Sequence, residues 1–121
     1  MSDRMSWTLS KKTKTPLEVR NILGAGENAV QAYLMQTGGY VCLTNQRIIV
    51  VEKTGAAASR TAAYSFPYHA VDYWVTADTE TLISVYSELE IHLVSATLKF
   101  TVNKNCDIDE INRIIAYHRN K

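Results

Sequence analysis

The sequence predicts a mainly β (α+β) domain in which about seven short strands precede one C-terminal helix. Three observations predict it. From Ala29 to Val75, β-branched and aromatic residues come in short runs separated by Gly, Asn and Pro, the pattern of strands and turns. Further on, Leu89, Ile91 and Leu93 alternate with Glu88, Glu90 and His92, and Leu98, Phe100 and Val102 alternate with Lys99 and Thr101. That period of two leaves one face of a strand apolar and the other wet. Last, Ile108, Ile111, Ile114 and Ile115 recur at helical spacing and form one stripe.

Taken in order, residues 1–14 read as a basic N-terminal arm carrying Arg4, Lys11, Lys12 and Lys14, with Met5, Trp7 and Leu9 as apolar markers. A loose arm is expected, with at most a short strand over the Trp7, Leu9 alternation. Residues 15–121 read as the folded domain. Thr15-Pro16 offers an N-cap and a first helical residue. Leu17, Ile22 and Leu23 are then expected to face a core, and Gly24 to stop the helix.

Ala29 to Gln36 is the first strong strand, turning at Thr37-Gly38-Gly39, where glycine supplies a positive φ. Tyr40 to Leu43 returns, Thr44-Asn45-Gln46 turns again, and Ile48-Ile49-Val50-Val51 reads as a strand buried on both faces. Lys53 to Arg60 is expected to be a surface loop. Ala63 to Tyr68 and Val71 to Val75 are further strands, with Pro67, which has no N–H, at an edge or bulge. Thr76 to Tyr86 is left as a loop.

The late alternation closes into a hairpin if a turn at Ser95-Ala96 sets Leu93 opposite Leu98, Ile91 opposite Phe100, Leu89 opposite Val102, and His92 opposite Lys99. Asp107 can cap the final helix while Glu110 reaches back as in a capping box. Burial of each isoleucine on the stripe, worth about 2 kcal/mol, makes that helix part of the fold.

Composition bounds the function. A chain of 121 residues fits one domain. Its 46% hydrophobic and 21% charged residues exclude a disordered chain. A net charge of +1 gives no argument for nucleic acid, so no nucleic-acid partner is expected. No window approaches the roughly 20 apolar residues of a membrane span. Met1 to Ser10 has no apolar stretch of the kind a signal peptide carries. Cys42 and Cys106 are therefore expected as reduced thiols in a cytoplasmic protein.

Several segments resemble the bacterial pleckstrin-homology-like family: Gly26-Glu27 ahead of the Ala29 to Met35 strand, Leu43-Thr44-Asn45-Gln46-Arg47-Ile48-Ile49, Phe66-Pro67-Tyr68-His69-Ala70-Val71, and Ser87-Glu88-Leu89-Glu90-Ile91. The resemblance runs over roughly residues 22 to 118 and lies in the order and spacing of the segments. It implies a bent antiparallel barrel plugged by the C-terminal helix and a tendency to assemble into rings, and it does not imply catalysis. It does not imply phosphoinositide binding, because Thr37 to Tyr40 carries no Lys or Arg.

Candidate chemistries fare poorly. Gly24-Ala25-Gly26-Glu27-Asn28-Ala29 matches a dinucleotide fingerprint in letters only, since a strand follows it and Thr44 or Asn45 stands where an acid is needed. Ser65, His69 and Asp72 lie too close in sequence to converge as a triad. His69, His92 and His118 have no ligand spacing for zinc. Glu88 and Glu90 share a strand face, which is far more often a solvated face than a paired-carboxylate site. Cys42 reads as a core residue. Cys106 precedes a helix, where a thiol can be activated, but a bystander thiol is the simpler reading.

What remains is interaction. One of Tyr73 and Trp74 must face outward on its strand, as an interface aromatic or as a residue covered by a loop. Lys11, Lys12 and Lys14 could draw the arm weakly to an anionic membrane. The expectation is a non-enzymatic binding or scaffolding module acting through protein–protein contacts, as a homo-oligomer and with an unidentified protein partner. No cofactor, no metal and no specific phosphoinositide are expected. The alternative is peripheral membrane attachment through the basic arm.

Overall fold

A computed structural model describes residues 3–55 and 59–121. Residues 1–2 of the expected arm and 56–58 of the expected Lys53 to Arg60 loop lie outside the described residues. The elements are β1 (Asp3–Thr13), α1 (Leu17–Arg20), β2 (Ala29–Met35), β3 (Tyr40–Thr44), β4 (Arg47–Thr54), β5 (Arg60–Pro67), a 3-10 turn (Tyr68–Ala70), β6 (Val71–Glu80), β7 (Val85–Leu93), β8 (Ala96–Asn103) and α2 (Ile108–Arg119). The eight strands form one sheet in the order β5-β4-β3-β2-β1-β8-β7-β6.

β1 is the strand that bends this sheet. Asp3 to Leu9 pairs in parallel with β8, while Leu9 to Thr13 pairs antiparallel with β2, and the register breaks between Leu9 and Lys11. A bulge of this kind kinks a strand and lets it serve two halves of a sheet. The segment expected to be a loose arm is therefore a central strand, and the strand count is eight where about seven were expected. The alternation Met5, Trp7, Leu9 was the signal. Trp7 and Leu9 are buried and Met5 packs against the same core, whereas the lysines that suggested a tail sit exposed at the far end.

The apolar residues divide into two cores. Inside the bend lie Leu9, Tyr33, Val41, Leu43, Ile48, Val50, Leu89, Ile91, Leu98, Phe100 and Val102, closed by Ile111 and Ile115 of α2. Outside the β2–β4 surface lie Ala32, Cys42, Ile49 and Val51, covered by Val19 of α1. The run Ile48 to Val51 thus feeds both cores by alternation, as a strand covered on both faces should. The α1 cover differs from expectation: helix residues stop at Arg20, Pro16 is the N-cap residue and makes no side-chain bond, Val19 is buried, and Leu17 and Ile22 are exposed.

The β7–β8 hairpin pairs Leu89 with Phe100, Ile91 with Leu98, Glu90 with Lys99 and His92 with Thr97. This is two residues from the expected register. The turn is Val94-Ser95 between Leu93 and Ala96, one residue earlier than expected. Moving a hairpin turn by one position shifts every cross-strand pair by two, which keeps each side chain on its face. The Thr76 to Tyr86 loop is instead mostly strand: β6 runs to Glu80, and the hairpin turns over Thr81 to Ser84. Its alternating pattern was masked because both faces are largely exposed there.

At α2, Asp107 accepts hydrogen bonds from the Asp109 and Glu110 amides as expected of an N-cap. Glu110 does not complete a capping box. Its carboxylate instead accepts from Lys12 of β1 and from the Tyr33 hydroxyl of β2, fastening the helix across the barrel end.

Candidate functional site

The densest polar cluster is built around Glu27, a buried acid in the loop between α1 and β2. Its carboxylate accepts from Arg47 Nε at 2.8 Å, Arg47 Nη2 at 2.9 Å, the Thr44 hydroxyl at 2.8 Å and the Gly24 amide at 2.9 Å. Arg47 also donates to the Ile22 carbonyl at 2.7 Å and to Ser65 Oγ at 2.8 Å. Asn45 accepts from the Asn28 amide and donates to the Gly26 carbonyl. The guanidinium outweighs desolvation and pulls the Glu27 carboxyl down to about 2. Every strong acceptor position of this carboxylate is taken, so the cluster is a lock between the α1–β2 loop and the β3–β4 turn, with nothing left to bind a substrate.

The residues that suggested chemistry are dispersed. The Gly24 to Ala29 segment leads into β2, and its acid is Glu27, already engaged. Ser65 accepts from Arg47, while His69 and Asp72 are exposed on the 3-10 turn and β6. Glu88 is paired with Lys99 at 2.9 Å and Glu90 with His92 at 3.3 Å. Burial pushes the Cys106 thiol above its ordinary range, opposite to activation, and pushes the Cys42 thiol to about 11. Among the described residues no group of three His, Cys, Asp or Glu is placed to hold a metal. The cavity inside the bend of the sheet is about 10 Å³, no larger than one water needs.

The five residues singled out for interaction separate into two places. Tyr73 faces outward, 55% exposed, with its ring stacked on His92 at 4.3 Å. Trp74 faces the core and donates from Nε1 to Asn112 Oδ1 of α2 at 2.8 Å. Lys11, Lys12 and Lys14 lie exposed at the end of β1, but Lys12 is committed to Glu110 at 3.0 Å. The basic group is thus split by a structural ion pair.

The open features of the molecule are its sheet ends. β5 and β6 each have one strand neighbour. Beyond β6, the hairpin tip carries Leu82 and Ile83, 105% and 95% exposed. Among the described residues no helix is long and apolar enough to cross a membrane.

A family model described as the bacterial PH domain matches residues 2–119. The chain belongs to the bacterial PH domain family. No curated protein matches it. Solved structures are similar to this bacterial PH domain, two PH-domain proteins among them. A DUF1696 family protein with a pleckstrin-homology domain from Shewanella loihica PV-4 superimposes with a TM-score of 0.78 at 22% identity, covering 91% of this chain and 98% of that one. A pleckstrin homology domain from Shewanella amazonensis SB2B gives a TM-score of 0.69 at 24% identity, covering 86% and 94%. The likeness is one of fold. In this bacterial PH domain the Gly26-Glu27 and Thr44-Asn45-Gln46-Arg47 segments, which carried the resemblance in sequence, are the two halves of the Glu27 lock.

Two acidic side chains have roles that the sequence pattern does not assign. Glu27 needed a partner 20 residues away, which no local pattern reveals. Glu52 follows Ile48 and Val50 at a spacing of two, so it shares their inward face. That parity was readable and marks it as a carboxylate pointing into the barrel end.

Proposed function

We propose that this bacterial PH domain is a non-enzymatic module that works through protein–protein contact and assembles with copies of itself through its sheet ends. The observation that supports the reading is the topology: β5, of eight residues, and β6, of ten, terminate an unclosed sheet. Beyond Val71, whose carbonyl accepts from Arg119 of α2 at 2.6 Å, the end strands have main-chain donors and acceptors on their outer side, a template for another strand. Natural edges are blunted by proline, charge or brevity. β5 has Pro67 only at its last position, and β6 has no proline over its length.

Pairing of β5 of one copy with β6 of the next uses two different surfaces. It is a head-to-tail contact, which closes into a ring when the rotation permits. Tyr73 and Val75 on the outward face of β6 supply exposed apolar area beside such a seam. The test is a charge placed on an edge: Ala63→Lys on the exposed outer face of β5 should lower the mass of the assembly in light scattering without lowering the melting temperature. An assembly of unchanged mass would remove β5 from the contact.

A further inference from the structure

A second surface lies where β1 parts from β2. The β1–β2 ladder begins at Leu9, with the Thr8 carbonyl still accepting from the Gln36 amide at 2.9 Å, so Ser6 and Trp7 are paired with β8 alone. The split opens a cleft of about 260 Å³ between β1, the β2–β3 turn and the end of β4. Ser6, Thr8, Thr54 and Thr101 line it, together with Glu52 and the buried Trp7.

The charge balance of the cleft is one-sided. Glu52 is half-buried, and its carboxylate accepts from Trp7 Nε1 at 2.9 Å and from the Tyr64 hydroxyl at a long 3.4 Å. A carboxylate has about four acceptor positions, so about half remain. Among the described residues no cationic group lies within ion-pair distance of it. Lys53, the one basic residue in the lining, has its ammonium 2.8 Å from Glu18 and over the Tyr40 ring, so its charge is already neutralised. A half-buried carboxylate with open acceptor positions and no cation beside it favours a cation that can also donate hydrogen bonds.

We propose that this cleft binds an organic cation, a primary ammonium or guanidinium group, with Glu52 as its counter-ion. The group can belong to a small polyamine or to a lysine or arginine side chain of a peptide. This site is independent of the sheet ends and goes beyond the assembly proposed above.

The Trp7 indole N–H, bonded to Glu52, is a built-in reporter. Its NMR signal, distinguished from that of Trp74 with Trp74→Phe, is followed on titration with agmatine and, separately, with a blocked Gly-Arg-Gly peptide. A blocked Gly-citrulline-Gly peptide is the uncharged control. The expected result is a saturable shift with agmatine, with the arginine peptide, or with both, and none with the control. Agmatine alone points to a free amine, and the peptide to a side chain. Added salt should weaken the binding, since it screens a charge pair at a partly exposed site. Glu52→Gln keeps an acceptor for Trp7 but loses the charge, and should weaken binding by about tenfold or more. No saturable shift at millimolar cation, an equal shift with the control, binding indifferent to salt, or equal affinity in a folded Glu52→Gln protein would each overturn the proposal. If the variant does not fold, the salt and citrulline arms on the native protein decide.

Discussion

Arg47 grips Glu27 with two parallel hydrogen bonds, Nε to Oε2 at 2.8 Å and Nη2 to Oε1 at 2.9 Å, and the side chain of the acid is only 1% exposed. The pair joins residues 20 positions apart, tying the loop that enters β2 to the turn that enters β4. Removing one partner of such a pair leaves a buried charge unpaired. Arg47→Met should therefore destabilise by about 3–5 kcal/mol, measured by urea denaturation at neutral pH. A loss under about 1 kcal/mol, as exposed ion pairs give, would show that the lock is incidental.

The same acid sets a pH dependence. Its folded pKa, about 2, lies below the ordinary 4.5. The resulting stability is fully present above pH 4.5 and is lost as pH falls from there toward 2. It is worth about 3 kcal/mol at neutral pH. Glu27→Gln should lower stability at pH 7 and flatten the decline between pH 5 and pH 3. Parallel acid profiles for the two proteins would remove Glu27 as the source.

Gly39 sits where β3 begins after the Thr37-Gly38 turn, and a Cβ there would collide with the Val51 carbonyl oxygen and the end of Met35. The backbone on β4 cannot yield as a flexible side chain can. Gly39→Ala should cost about 1–3 kcal/mol, the range for overpacking, while the far roomier Gly24 should tolerate alanine. The two melting temperatures, compared side by side, check this, and equal values would be inconsistent with the close approach.

Tyr73 and Trp74, neighbours on β6, should respond in opposite ways. Trp74→Ala removes core packing and the bond to Asn112 and should cost about 2–3 kcal/mol of folding stability, the ring being only partly buried. Tyr73→Ser removes an outward ring. It should leave the melting temperature nearly unchanged and weaken self-association. Chemical denaturation and sedimentation on both variants separate the roles; equal effects on stability would mean that Tyr73 is not a surface residue in solution.

Much of this was legible because binary patterns are local. The double-sided burial of Ile48 to Val51, the Pro67 edge, the Asp107 cap and the isoleucine stripe follow from residue type and period alone. What was hidden depends on distance. β1 looked like a tail because its lysines outnumber its apolar residues near the end, and only the sheet supplies the partners that make Trp7 and Leu9 core residues. Glu110 matched a capping box, yet Lys12 and Tyr33 arrive from remote strands and compete for it. The register of β7–β8 turned on one residue in the turn, which an alternating pattern cannot fix. The cleft at Glu52 exists only because β1 leaves β2, an event with no sequence signature beyond the placement of the acid.

Association of copies of this domain through the ends of the open sheet is decided by mass in solution. Size exclusion coupled to light scattering, at tens of micromolar protein and near-physiological salt, measures it directly. The expected result is a discrete mass at an integral multiple of 13.6 kDa, reduced by Ala63→Lys and Tyr73→Ser in proteins that remain folded. A single species of 13.6 kDa for the native chain would contradict it.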